Sequence, residues 1–488
     1  MRHRHSVLAS TLFTWAGLAA ASILASCGGE PEQPGLILSK SVFAAGSTPQ
    51  PATMMLLRPP SEPDSPWTSE DIITKPGSLR VQPGTAADGT VVFRLTENDL
   101  PVGDVVTLEP AGDAWAPVAA PAYSIDSVDW QTKDGAPATK DYEMAGGNVF
   151  HKAMWWDPLF GEPGILTISA NMPFLQIWRK AGEGWTPELL WTANVGGREQ
   201  RFRDIEIGDV DGDGQDELVI VTHDRGAVFL LEQTEAGLDA LKLHEWDERI
   251  FVHEVEIGDV DGDGVPEIFT TPSEPNKLDG NHQAGWVDMY RYEPESGQYA
   301  RSTVVHLPES HAKEILTYDY DEDGSVELYV AIETETNQFV SASEGEPVSI
   351  QAFTWDAARG EMVAGAAVEL EGCMCRFLCG GDTDGDGNNE LIASTNNGGI
   401  YLLKMSGSQW ESKRIVAPYA SGGFEHATIL LDFDGDGSDE LFVANDAKDH
   451  VLRVHYDAES GRYKRDKIYD MSGENYMAWN VMELPAGL

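Results

Sequence analysis

Asp209-Val210-Asp211-Gly212-Asp213-Gly214-Gln215-Asp216-Glu217, followed by the apolar run Leu218-Val219-Ile220-Val221, decides how the rest of the chain is read. The pattern returns at residues 259–267, 319–327, 382–390 and 432–440. In every copy acids stand at positions one, three, five and nine, and glycine stands at position six. A tight loop with alternating carboxylates can turn them all onto one hard cation, and calcium takes six to eight oxygens at about 2.3–2.6 Å. Glycine at position six permits the sharp bend, and position seven can add its backbone carbonyl. The expected calcium sets are Asp209, Asp211, Asp213 and Glu217; Asp259, Asp261, Asp263 and Glu267; Asp319, Asp321, Asp323 and Glu327; Asp382, Asp384, Asp386 and Glu390; and Asp432, Asp434, Asp436 and Glu440. The carbonyls would come from Gln215, Val265, Ser325, Asn388 and Ser438. An EF-hand is excluded, because its closing Glu belongs at position twelve, where Ile220, Thr270, Val330, Ala393 and Val443 stand. Four carboxylates in one loop without a cation would repel one another, and five copies at one spacing make a metal-free turn a poor explanation.

Successive copies start 50, 60, 63 and 50 residues apart, and a degenerate copy with only its first acid, Asp157, lies 52 residues before Asp209. A period near 50 with short strands and no helical stretch belongs to an all-β propeller with one four-stranded blade per repeat. Residues 203–207 alternate as a first strand, 218–222 return as a second, 227–232 make a third and 240–244 a fourth. Residues 90–109 resemble a third and fourth strand, and residues 476–483 resemble a first strand. Joined in one blade, they would close the ring with both chain ends and remove the exposed sheet edges. The expectation is seven blades, with six as the alternative.

The repeats resemble the FG-GAP (VCBS) repeats of integrin alpha-subunit propellers and many bacterial surface proteins. The resemblance spans roughly residues 148–468 and rests on five occurrences of Asp-x-Asp-x-Asp-Gly-x-x-Glu. It implies calcium bound within the blades, at up to five structural sites on the twenty acids above. The copy at 157–165 departs from the pattern and is expected to be empty. The Phe-Gly and Gly-Ala-Pro signatures of the family are not evident.

The N-terminus reads as a targeting segment. Arg2 and Arg4 precede a largely apolar run over 7–24, and Leu24-Ala25-Ser26-Cys27 resembles the lipobox of bacterial lipoproteins. That implies a signal peptide over 1–26 and acylation of Cys27, with an outer-membrane or cell-surface address. A single transmembrane anchor is the competing reading. Residues 27–88, rich in Pro, Gly and Ser, read as a tether, and 89–488 as the propeller. The chain carries 33 Lys and Arg against 81 Asp and Glu, a formal charge of −48. Such a surface repels nucleic acid and anionic headgroups, so membrane contact is expected only through the lipid. Cys373, Cys375 and Cys379 cluster before the fourth acidic loop. In a strand the last two would stand about 13 Å apart, beyond disulfide reach. A loop disulfide plus one buried thiol is the plain expectation, and a soft-metal site the alternative.

Six residues before each loop start stand His151, Arg203, His253, Lys313, Arg376 and His426. Fourteen residues after it stand Asn171, His223, Ser273, Glu333, Asn396 and Asp446, all polar. A first strand runs toward the acidic loop and the second runs back, so both sets should meet at the propeller mouth opposite the loops. The bases there could hold an anion such as a uronate, a phosphate or a partner's carboxylates. Pairing with neighbouring acids such as Asp204, Glu254 and Glu314 is the plainer expectation, with the anion site as its alternative. Trp155-Trp156 could stack sugars, though such aromatics usually fill a blade core. No catalytic motif stands out. The expected function is a surface-anchored binder of an extracellular protein or carbohydrate. A carbohydrate-active lyase using the basic mouth and a purely structural surface component are the alternatives.

Overall fold

The computed structural model describes residues 33–42, 52–61, 65–73, 78–85, 91–97, 100–111, 114–117 and 140–143, and from 149 to 488 all but 171–172, 194–200, 224, 247–248, 276–281, 335–346, 373, 397, 418–425, 446–447 and 473–475. The signal segment, Cys27, Cys373, Asn171 and Asp446 lie outside the described residues, as does the side chain of His426.

Seven four-stranded antiparallel sheets form the blades. Numbered from the closing blade, their inner strands are Tyr476–Leu484, Val149–Trp156, Phe202–Gly208, Phe251–Gly258, His311–Tyr318, Cys375–Gly381 and His426–Leu431. Each inner strand touches the inner strands of the blades before and after it, so the ring is closed. In blade 3 the chain continues outward through Glu217–Thr222, Ala227–Thr234 and Gly237–Glu245, as the repeat pattern led one to expect.

The second strand shows why the acidic loop is followed by an unbroken apolar run. Successive strand residues face opposite sides of a sheet. Leu218 and Ile220 enter the core shared with blade 2, while Val219 and Val221 enter the core shared with blade 4. A strand buried on both faces has no polar alternation. Seven such cores lie between successive blades, and the last two join blade 7 to blade 1 and blade 1 to blade 2. Trp156 belongs to the core of blades 2 and 3, and Trp155 packs against that of blades 1 and 2. They are core aromatics.

The closing blade corrects the expected tether and the expected source of its strands. It consists of Thr68–Ile73, Ala52–Arg58 and Gly35–Val42, with Tyr476–Leu484 as its inner strand. The apolar runs Leu36-Ile37-Leu38 and Met54-Met55-Leu56-Leu57 are buried. Pro34, Pro59, Pro60 and Pro66 fall outside these strands. Proline confined to strand ends punctuates a sheet without breaking it. Residues 91–97 and 100–109 belong to a separate five-stranded sheet, in the order Ala114–Pro117, Leu100–Ala111, Val91–Glu97, Ser78–Thr85, Lys140–Glu143. That sheet is inserted between the closing blade and blade 2, so the domain expected to begin at 89 gains strands from residue 35 and carries an added sheet.

Candidate functional site

Two sets of side chains sit at opposite ends of the inner strands. At one end each acidic loop is ordered by its own backbone. Asp209 accepts the N–H groups of Gly212 (2.8 Å), Asp213 (3.1 Å) and Gly214 (2.9 Å). Asp259 accepts the equivalent three, and Asp382 those of Gly385, Asp386 and Gly387. The closing Glu uses one oxygen for the N–H at position two: Val210 (3.1 Å), Val260 (3.1 Å), Tyr320 (3.2 Å), Thr383 (3.0 Å) and Phe433 (3.0 Å). The position-five Asp accepts the N–H of Gln215, Val265, Ser325, Asn388 or Ser438.

Three ligand atoms therefore converge within 4.8 Å of one another in every loop. They come from Asp209, Asp211 and Glu217; Asp259, Asp261 and Asp263; Asp319, Asp321 and Glu327; Asp382, Asp384 and Glu390; and Asp432, Asp434 and Asp436. Burial, together with the charges of Asp211, Asp213 and Asp209, pushes Glu217 up to about 8 despite its bond to Val210 N–H. A carboxylate raised by burial, with like charges beside it, is one whose charged form a divalent cation would favour. An all-oxygen donor set of this kind fits calcium.

At the other end lies the basic register, and its placement has one structural cause. The inner strand of blade 2 bulges at His151 and that of blade 3 at Arg203. In blade 4 the bulge falls at His253-Glu254, in blade 5 at Lys313-Glu314, and in blade 6 at Arg376. A bulge leaves one residue without a partner and re-aims its side chain. The closing blade bulges at Trp479, which fills the seventh place and stacks on His151 at 5.1 Å and 19°. His426 is paired regularly with Asn445.

These groups are mutually close. Arg203 Nη1 lies 3.4 Å from His151 Nδ1. The rings of His223 and His253 meet edge to face at 4.7 Å. Burial, then the charges of Arg203, Arg201 and His223, hold His151 well below the usual imidazole range. Burial, then His223, Lys313, Arg203 and Arg376, do the same to His253. His253 is only 5% exposed, and its Nε2 has no hydrogen-bond partner.

Part of the arc is structural. Arg376 donates to Glu333 at 2.8 Å, and Glu333 also accepts Cys375 N–H at 3.0 Å and lies 3.3 Å from His311. Burial alone would raise Glu333, but Arg376 and His311 hold its carboxyl below its ordinary value. The acids beside the bases face other work. Asp204 accepts Val255 N–H at 3.1 Å and Lys152 Nζ at 3.1 Å, and Glu314 accepts Leu378 N–H at 2.8 Å. They stitch one inner strand to another. Trp479 and His311 escaped the sequence reading, because neither stands six or fourteen residues from an acidic loop. Cys375 and Cys379 carry free thiols, and burial pushes Cys379 up to about 12.

A family model described as FG-GAP-like repeat matches residues 209–270 and 382–443. The chain is a seven-bladed β-propeller with FG-GAP-like repeats. Among solved structures, this FG-GAP propeller is similar to an Agrocybe aegerita lectin described by its recognition of non-reducing terminal N-acetylglucosamine. The two are 14% identical, with 85% of this chain and 97% of that chain covered and a TM-score of 0.43. It is also similar to the periplasmic gluconolactonase of Pseudomonas aeruginosa, at 12% identity, with 93% and 99% covered and a TM-score of 0.45. The comparison with curated proteins gave no match.

Proposed function

We propose that this FG-GAP propeller is an exported binding protein, anchored through Cys27 and braced by calcium, whose basic mouth takes a carboxylate-bearing extracellular ligand. The observation that carries the reading is the bulge-mounted arc of buried His151, His253 and Lys313 with half-buried Arg203, and an unpartnered His253 Nε2 inside it. Like charges set this close favour an anion between them. Arg supplies a planar fork for a carboxylate, and Lys a point charge. Trp479 beside His151 offers an aromatic wall of the kind that suits a sugar ring.

The test is a thermal-shift series in calcium with glucuronate, galacturonate, polygalacturonate and neutral glucose. The acidic sugars should raise the melting temperature and glucose should not. Arg203→Met and His253→Gln should abolish the shift while Arg203→Met leaves the unliganded melt unchanged. Absence of any shift with uronates, or an equal shift with glucose, removes the acidic-sugar reading. Retention on immobilised envelope protein would then assign the carboxylate to a protein partner.

One observation favours a lyase as the second reading: the unpartnered His253 Nε2 lies near Arg203 and Lys313. An imidazole nitrogen beside cations that hold a carboxylate is placed to take the proton next to it. Unsaturated product formed from polygalacturonate, followed by ultraviolet absorbance, would establish it, and binding without product would exclude it.

A further inference from the structure

We infer that the five acidic loops form two calcium classes, two tight and three weak, set by a residue on the third strand of the blade. The inference rests on the loops binding calcium. In blade 4 Arg291, on strand Gly285–Glu293, reaches Asp261 at 2.5 Å and Glu267 at 3.1 Å. In blade 6 Lys404, on strand Gly399–Ser406, lies 2.8 Å from both Asp386 and Glu390. In blade 7 Arg453, on strand His450–Asp457, contacts Asp434 at 2.6 Å and also pairs with Glu440. These loops contain a resident cation.

The loops at 209–217 and 319–327 contain none. The register of Leu218 with Leu231 sets Glu232 opposite Glu217, and that of Leu328 with Phe353 sets Thr354 opposite Glu327. Both Glu232 and Thr354 are exposed. Among the described residues no Lys or Arg lies within ion-pair distance of the acids in these two loops. In the two arginine loops the three converging atoms are all from Asp, whereas the lysine loop keeps Glu390 among them, as the two cation-free loops keep Glu217 and Glu327. The arginines hold Glu267 and Glu440 for themselves.

Calcium affinity in oxygen sites follows ligand charge and site rigidity. A resident guanidinium or ammonium lowers the charge that calcium meets and must yield ligand atoms to it. The loops starting at Asp209 and Asp319 should therefore fill first, with the other three at least about tenfold weaker. The cations let blades 4, 6 and 7 keep their turns when calcium is scarce, while blades 3 and 5 depend on it.

Calcium titration of the whole chain by calorimetry, with native mass spectrometry to count ions, tests this. Two ions should bind before the other three. Arg291→Met, Lys404→Met and Arg453→Met should each move one ion into the tight class, and Thr354→Lys should move one out. Five ions of equal affinity, unmoved by these substitutions, would overturn the two-class inference alone. No bound ion at all would overturn the calcium reading beneath it.

Discussion

Glu322 stands where the other four acidic loops have glycine. Gly212, Gly262, Gly385 and Gly435 occupy position four with φ between 70° and 77°, and Glu322 takes φ 57° in the same place. A side chain in the left-handed region costs about 1–3 kcal/mol. Glu322→Gly should therefore stabilise the protein by about 1 kcal/mol in urea unfolding. The position-six glycine was legible in the motif, but the demand at position four was not, because one copy satisfies it with a strained residue. His253 carries the second residue-scale expectation. Its folded pKa lies below the unfolded value near 6.5, so the unfolded chain binds the proton first. The stability it contributes is present above about pH 6.5 and is lost as pH falls through that value toward the folded pKa. The stability gap between wild type and His253→Gln should shrink by up to about 1.4 kcal/mol per pH unit below 6.5, measured by urea unfolding.

The inner strands show how far an element can be read from its sequence. Counting six residues back from each loop finds the bulged base in blades 2 to 6, because loop, strand length and bulge keep a fixed spacing. The same count finds His426, whose strand has no bulge, and it misses Trp479, whose strand has no acidic loop. The three strands between Gly35 and Ile73 were hidden for a related reason: they surround no acidic turn, and their prolines drew the eye from the apolar runs between them. Among the bases, Arg376 is the one whose loss should damage the fold. It is paired with the fully buried Glu333, which also receives Cys375 N–H and so ties blade 5 to blade 6. Arg376→Met would take from that carboxylate its guanidinium, leaving Cys375 N–H and His311 beside it, and should cost about 3 kcal/mol in urea unfolding. Arg203→Met should be nearly silent in the same measurement.

At the scale of the molecule, seven apolar cores between seven blades make each sheet depend on two neighbours. The seven-blade ring was legible from six repeats and one pair of chain ends, though the identity of the N-terminal strands was not. Removing residues 476–488 would strip the inner strand from blade 1 and leave Gly35–Val42 with an open edge. Such an edge templates association. The truncated chain should elute as oligomers in size-exclusion chromatography and melt at lower temperature than the whole chain.

That closing blade also sets an order in time. Gly35–Val42 emerges among the first segments of the chain, and its partner Tyr476–Leu484 emerges more than 430 residues later. Until then six blades stand as an arc with two unsatisfied faces, one at either end of the growing chain. The first strands wait that long for their mate. The pairing of Leu38 with Val481 is thus the last step in closing the ring, written in backbone hydrogen bonds.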